Sequence, residues 1–244
     1  MYANNKSLRI NKKRLTKKKV KEEIENGNFN KELSDFFSDA TSIINKEFPK
    51  VYDLSNGNFL YVFDEKDFSI GGKGDIYSAE NFQKIIRFYS ILISDRKKDI
   101  TSPNRMWKYY SKLGNKLIHQ IEELKIEIST HLNIKENQLD FTYKSLDFLS
   151  DSLKNLENEE IRKKYFDHLV AYIGEVQRKR VNGKWNIKKP NSGGEDIFID
   201  VGNERCNLLP INIVECELRK IGEIDFRKAT TNSLRIVLPY LKKK

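Results

Sequence analysis

Apolar residues recur every three or four positions along most of the first half of the chain, which is the spacing of an amphipathic helix. This spacing predicts helices over four stretches: residues 15–25, 33–48, 78–94 and 102–132. Between the second and third stretches, residues 59–63 are aromatic and β-branched and predict a strand, with residues 68–70 as its hairpin partner. The first half is therefore predicted to be a helix-rich lobe that contains one small hairpin.

The pattern changes after residue 138. Helical spacing predicts two further helices, one at residues 145–156 and one from residue 159 to the Asn182-Gly183 turn. Short apolar runs then predict three strands, followed by a closing helix or extended tail: residues 185–187, 196–201, 211–216 and 228–241. The prediction is an α+β protein with a helix-rich N-terminal lobe and a C-terminal lobe of two helices packed on a small antiparallel sheet. The lobes are predicted to span residues 22–137 and 138–244.

The charge of the chain is concentrated at its ends. The formal net charge is +10, yet residues 1–21 hold nine basic residues and no acidic one, and residues 242–244 are all lysine. Residues 1–21 are therefore predicted to be a basic, disordered tail. Such a tail binds phosphates by releasing counterions, and its candidate nucleic-acid contacts are Lys12, Lys13, Arg14, Lys17, Lys18 and Lys19. A solvated, mobile terminus without a ligand is the alternative interpretation.

Several classes of protein are not indicated by the sequence. No apolar run approaches the roughly 18 residues that a bilayer crossing needs, and no apolar segment of a secretion signal follows the basic N-terminus. The cysteines Cys206 and Cys216 do not form a disulfide framework, which favours a cytoplasmic location. The glycine cluster at residues 71–74 lacks the spacing of a phosphate-binding loop. No membrane contact and no cofactor are predicted.

The residue pattern offers two candidate kinds of catalytic or metal site. A magnesium nuclease would place Asp196 or Asp200 on one strand beside Glu215 and Glu217 on the next, but Glu217 stands where such sites carry a lysine. The three histidines, at positions 119, 131 and 168, have no ligand spacing to one another or to a cysteine. No catalytic residue and no metal site are predicted, and the nuclease stays an alternative.

Charged residues occupy fixed places on an apolar frame in residues 172–185. Gly174 weakens a helix by about 1 kcal/mol relative to alanine, which indicates that another element approaches closely there. One interpretation is a structural joint, in which Trp185 packs back on the helix and Glu175 is hydrogen-bonded or salt-bridged. The other is a binding groove bordered by Glu175, Arg178, Arg180 and Trp185.

Four short motifs of the second half resemble a domain of uncharacterised bacterial proteins, which is itself similar to toxin-immunity and defence-associated domains. They lie within residues 138–218: Leu139-Asp-Phe-Thr-Tyr-Lys-Ser-Leu146, Ala171-Tyr-Ile-Gly-Glu-Val176, Gly183-Lys-Trp185 and Leu209-Pro-Ile-Asn-Ile-Val214. The resemblance supplies no catalytic residues. It implies a non-enzymatic, cytoplasmic interaction protein that binds a partner protein, for example one encoded by a neighbouring gene. A nucleic-acid-associated protein acting through the basic tails is the first alternative.

Overall fold

The computed structural model of the chain describes residues 12–41, 49–63, 73–188, 196–203, 206–220 and 222–241. The chain divides into two compact units, residues 1–98 and 99–244. This division falls earlier than the predicted boundary after residue 137, because residues 99–137 contribute apolar side chains to the core of the second unit. Helices and antiparallel strands occur in both units, which confirms the predicted α+β class.

The N-terminal unit is built on a five-stranded antiparallel sheet with the strand order β1-β5-β4-β3-β2. Its elements in chain order are β1 (Lys12–Arg14), α1 (Lys17–Asn26), β2 (Asn28–Asn30), α2 (Lys31–Thr41), β3 (Lys50–Asp53), β4 (Phe59–Val62), β5 (Gly74–Tyr77) and α3 (Ala79–Lys97). Helix α1 packs Val20 against one face of the sheet, and α2 and α3 pack Phe37 and Phe82 against the other. Both faces of the sheet are therefore covered.

This sheet is larger than the predicted hairpin. The strand predicted at residues 59–63 is β4, and it pairs with β3 on one side and β5 on the other. The partner predicted at residues 68–70 lies outside the described residues. Residues 12–21, which the sequence assigns to a disordered tail, instead form β1 and the first half of α1. They are fixed because Leu15 and Val20 are buried against the sheet.

The C-terminal unit surrounds one long helix. Its elements are α4 (Pro103–Tyr110), a 3-10 turn (Gly114–His119), α5 (Ile121–His131), a second 3-10 turn (Glu136–Gln138), α6 (Ser145–Leu153), α7 (Asn158–Val181), β6 (Lys184–Lys188), β7 (Asp196–Asp200), β8 (Asn207–Leu208), α8 (Pro210–Arg219) and α9 (Phe226–Leu241). Helices α5, α8 and α9 pack around α7, which is buried over most of residues 161–177. The strands form a separate antiparallel sheet in the order β6-β7-β8.

The prediction of a single helix at residues 102–132 is wrong, because the helix ends at Tyr110. Gly114 has a φ of +51°, a left-handed conformation that glycine adopts without strain. The Asp167 carboxylate of α7 accepts hydrogen bonds from the backbone N–H groups of Lys112 and Leu113, at 2.7 and 3.1 Å. A side chain more than fifty residues away thus satisfies the donors that a continuous helix would have used.

The strand predicted at residues 211–216 is also wrong. This stretch lies in α8, which begins at Pro210 in the first turn, where a missing N–H costs nothing. Ile211, Val214 and Leu218 recur at helical spacing and are buried against the core. The third strand of the sheet is the two-residue β8 instead. The closing helix predicted at residues 228–241 is confirmed as α9.

Within the described part of the chain, none of the helices combines the length and hydrophobicity that a bilayer crossing requires.

Candidate functional site

The first three motifs of the second half meet on the last turns of α7. The Tyr172 hydroxyl donates a hydrogen bond to Ser145 Oγ at 2.6 Å and accepts one from the Phe141 N–H at 3.1 Å. Burial raises the pKa of Tyr172 to about 12, so the hydroxyl keeps its proton at neutral pH and can donate it. These bonds hold Phe141 at a φ of +60°, which bulky residues rarely adopt. The loop at residues 139–145 is thereby fixed to α7.

Trp185 packs on bare helix backbone at Gly174. A Cβ atom at position 174 would lie 2.1 Å from Trp185 Cη2 and 2.8 Å from Pro210 Cγ, far inside van der Waals contact. Asn182 ends α7 in the left-handed conformation, and β6 then carries Trp185 back along the helix. The close approach predicted from Gly174 is therefore present.

Glu175 links the helix to the returning strand. The residue is 7% exposed, and its carboxylate accepts two hydrogen bonds from Arg178, at 2.7 and 2.8 Å, and one from Trp185 Nε1 at 3.1 Å. Burial acts to raise the pKa of Glu175, but these hydrogen bonds and the charges of Arg178 and Lys179 lower it below its usual value. An ionised Glu175 therefore holds the joint of helix and hairpin that the sequence predicts.

The four residues predicted to border a binding groove have different roles in this geometry. Glu175 accepts hydrogen bonds from both Arg178 and Trp185, whereas Arg180 is exposed. That these residues border a groove stays a prediction.

Three cations near the end of α7 lie against aromatic rings of the loop at residues 139–145. Lys179 Nζ and Lys125 Nζ are 4.4 and 5.4 Å from the centroid of the Phe141 ring. Arg180 Cζ is 5.6 Å from the centroid of Tyr143. We call Lys125, Lys179 and Arg180 the cationic surface. Lys125 is not among the residues predicted from the sequence, because α5 is far from the motif along the chain. The motif that contains Phe141 and Tyr143 was the signal in the sequence.

A second group of cations lies on the N-terminal unit. We call residues 12–21 the basic segment. Lys12 Nζ is 2.5 Å from a carboxylate oxygen of Asp75, which is completely buried. The other predicted nucleic-acid contacts are exposed on β1 and α1: Lys13, Arg14, Lys17, Lys18 and Lys19. The first turn of α1 contains three lysines and no acidic residue, an arrangement that the helix dipole disfavours.

The carboxylates of the nuclease alternative do not form the arrangement that it needs. Glu215 and Glu217 lie on α8 and not on a strand beside β7, and they pair with Arg219 and Lys220. Burial raises the pKa of Glu217 even though Lys220 and the Asp225 N–H bind it. Asp200 accepts a hydrogen bond from the Gly202 N–H, and the side chain of Asp196 lies outside the described part.

Tertiary packing brings two of the histidines together. His168 on α7 is hydrogen-bonded through Nε2 to Glu127 on α5 at 2.9 Å, and the ring centroid of His131 is 6.3 Å away. Burial lowers the pKa of His168 despite the nearby carboxylate. Among the described residues, no three or more His, Cys, Asp or Glu side chains are arranged to hold a metal ion.

A cleft of about 290 Å³ opens between the first turns of α4 and α8. Its walls are mainly apolar and include Trp107, Val170 and Leu209, while Asn104 and Asn212 supply polar side chains. The cleft thus offers amide hydrogen bonds, and none of its lining side chains is an acid or a base.

Comparisons of the chain with protein-family models, with curated proteins and with solved structures found no match. The resemblance of residues 138–218 to bacterial immunity and defence domains therefore stays a prediction, carried by the motif residues themselves.

Proposed function

We propose that the chain is a non-enzymatic interaction protein of the bacterial cytoplasm, of the immunity or defence type, which binds a partner protein through its C-terminal unit. The observation that carries this proposal is the exposed apolar end of α9. Ile236 is 69% and Tyr240 49% exposed. We call these two residues the α9 patch.

The α9 patch belongs to a helix that is otherwise well packed. Leu234 and Val237 bury the inner face of the helix. Ile236 and Tyr240 are one turn apart and so lie next to each other on the outer face. Grouped exposed apolar side chains mark interaction sites more often than single ones do, and tyrosine is enriched at interfaces. A partner protein that covers the patch would remove this surface from water.

Replacing Ile236 and Tyr240 together by aspartate is expected to weaken partner binding by about 30-fold or more, the effect of losing a central interface contact. The partner is first captured from native cells with the unmodified full chain and then purified. Isothermal titration calorimetry measures its affinity for each variant, and circular dichroism checks the fold.

The matched control is Asn155→Asp, which adds a charge at an exposed position of the same unit outside α9. It should bind as the unmodified chain does. Equal affinity of the double variant and the control would contradict the proposal, as would the absence of any partner that binds in purified form.

Nucleic-acid binding is the second candidate function, and the basic segment favours it. Its exposed cations are fixed on a strand and a helix, and three of them crowd the positive end of the α1 dipole. Phosphate groups would relieve that unfavourable arrangement. A protective role is the other explanation, because lysines on an edge strand such as β1 discourage pairing with other chains.

Salt dependence tests this second candidate. Changing Lys17, Lys18 and Lys19 to glutamine should lower the slope of log affinity against log salt by about 2.7 for duplex DNA, since each phosphate contact contributes about 0.9. Fluorescence anisotropy with duplex and single-stranded probes measures it. Removing three exposed lysines elsewhere in the same unit, Lys31, Lys50 and Lys97, is the control and should leave the slope nearly unchanged. Absence of binding at low salt would exclude the candidate.

A further inference from the structure

The cationic surface holds its charges in fixed positions. Phe141 is pinned by the hydrogen bond from its N–H to Tyr172, and its ring stacks on the Tyr172 ring with centroids 4.8 Å apart. Lys179 and Lys125 lie over the same Phe141 ring from two different helices. A cation over an aromatic face is attracted by the ring quadrupole, which restricts a flexible side chain. These protein side chains are already restricted, so they lose less conformational entropy when a ligand binds.

Two of these cations form no salt bridge within the described part of the chain. They are Lys179 and Arg180, whereas their neighbour Arg178 is held by Glu175. Both are exposed on the last turn of α7. The carbonyl end of the helix favours cations there. Because both residues are exposed, a ligand can reach their charged groups.

The surroundings of the cationic surface select the kind of anion. Glu122 lies 2.7 Å from Lys125, and Asp140 precedes Phe141 in the loop. Glu122 and Asp140 are also close enough to Tyr172 to raise its pKa. A nucleic-acid backbone, with a charge at every phosphate, would meet these carboxylates as well as the cations. A peptide can place one or two carboxylates over Lys179 and Arg180 and turn away from Glu122 and Asp140.

We infer that the cationic surface binds a short acidic segment of the partner protein, with Lys179 and Arg180 pairing with its carboxylates. Tyr143 lies beneath Arg180 and is half-buried. Tyr143 also packs in the same cluster as Val237 of α9, which joins the cationic surface to the helix that carries the α9 patch. This inference rests on the proposed function and specifies the chemistry of the partner.

A short fluorescent poly-glutamate peptide is the probe for this inference. The full chain is used with Lys17, Lys18 and Lys19 changed to glutamine, so that the basic segment contributes less to peptide binding. Adding Lys179→Gln and Arg180→Gln should weaken peptide binding at low salt by about tenfold, since exposed charge pairs are individually modest. The control removes Lys154 and Lys228, two exposed lysines of the same unit, and should have no effect.

Two outcomes with the probe would overturn the inference. One is that the control variant loses as much affinity for the peptide, and the other is that duplex DNA binds this surface as tightly as the peptide does. The purified partner separates the inference from the proposed function. If Lys179→Gln and Arg180→Gln leave partner affinity unchanged while the α9 patch variant abolishes it, the inference fails and the proposed function stands. If both sets weaken binding, both are supported.

Discussion

Replacing Gly174 by alanine is expected to destabilise the C-terminal unit by about 3 kcal/mol, because the new methyl group overlaps the Trp185 ring. Alanine favours a helix over glycine by about 1 kcal/mol, which reduces the cost without reversing it. Both tryptophans of the chain, Trp107 and Trp185, lie in this unit, so their fluorescence reports its unfolding in urea. The midpoint should shift to lower urea with little change in slope.

A double-mutant cycle tests the cause of that loss. In a chain that already carries Trp185→Leu, the indole is gone and Gly174→Ala should cost less than half as much. Pro210 still limits the space, so some cost remains. An equal cost in both backgrounds would show that the overlap with Trp185 is not the reason.

Replacing Glu175 by glutamine is expected to lower the free energy of unfolding by about 2 kcal/mol at neutral pH. This is the usual contribution of hydrogen bonds between charged groups. The value lies below that of a fully buried ion pair, because Arg178 is one-third exposed and solvent screens the pair. The matched control is Glu217→Gln. Burial raises the pKa of Glu217, so its ionised form works against folding and its neutral replacement should cost less.

As pH falls, the contributions of Glu175 and Glu217 to the free energy of unfolding should change in opposite directions. The folded-state pKa of Glu175 is lowered below 4.5, so its ionised form stabilises the fold above pH 4.5, and this stabilisation is lost as pH falls through the lowered pKa. The difference in the free energy of unfolding between the unmodified chain and Glu175→Gln should therefore disappear at acidic pH. For Glu217 the pKa is raised, so protonation favours the fold as pH falls towards 4.5. If this difference does not change with pH, the claim that ionised Glu175 stabilises the joint is contradicted.

The joint at the end of α7 could be predicted because all of its information is local. Gly174, Glu175, the Asn182-Gly183 turn and Trp185 lie within one short segment, and helix geometry and turn chemistry alone place them together. The partners of Phe141 could not be predicted in this way. Lys125 reaches its ring from α5, and only the packing of α5 on α7 brings the two together.

The two wrong elements have the same physical origin. Ile211, Ile213 and Val214 fit a short buried strand as well as one face of a helix, and burial against the core selects the helix. The break after Tyr110 depends on Asp167, whose carboxylate caps Lys112 and Leu113 from another helix. In the N-terminal unit, the lysine-rich composition indicates disorder, but the buried Leu15 and Val20 anchor the basic segment to the sheet.

Hydrogen exchange of the full chain, with and without the purified partner, tests most directly whether the C-terminal unit binds that partner. The proposal predicts slower exchange of backbone amides in the last turns of α9 and in the loop at residues 139–145 when the partner is present. Slower exchange confined to the basic segment, or no change at either place in the C-terminal unit, would contradict it.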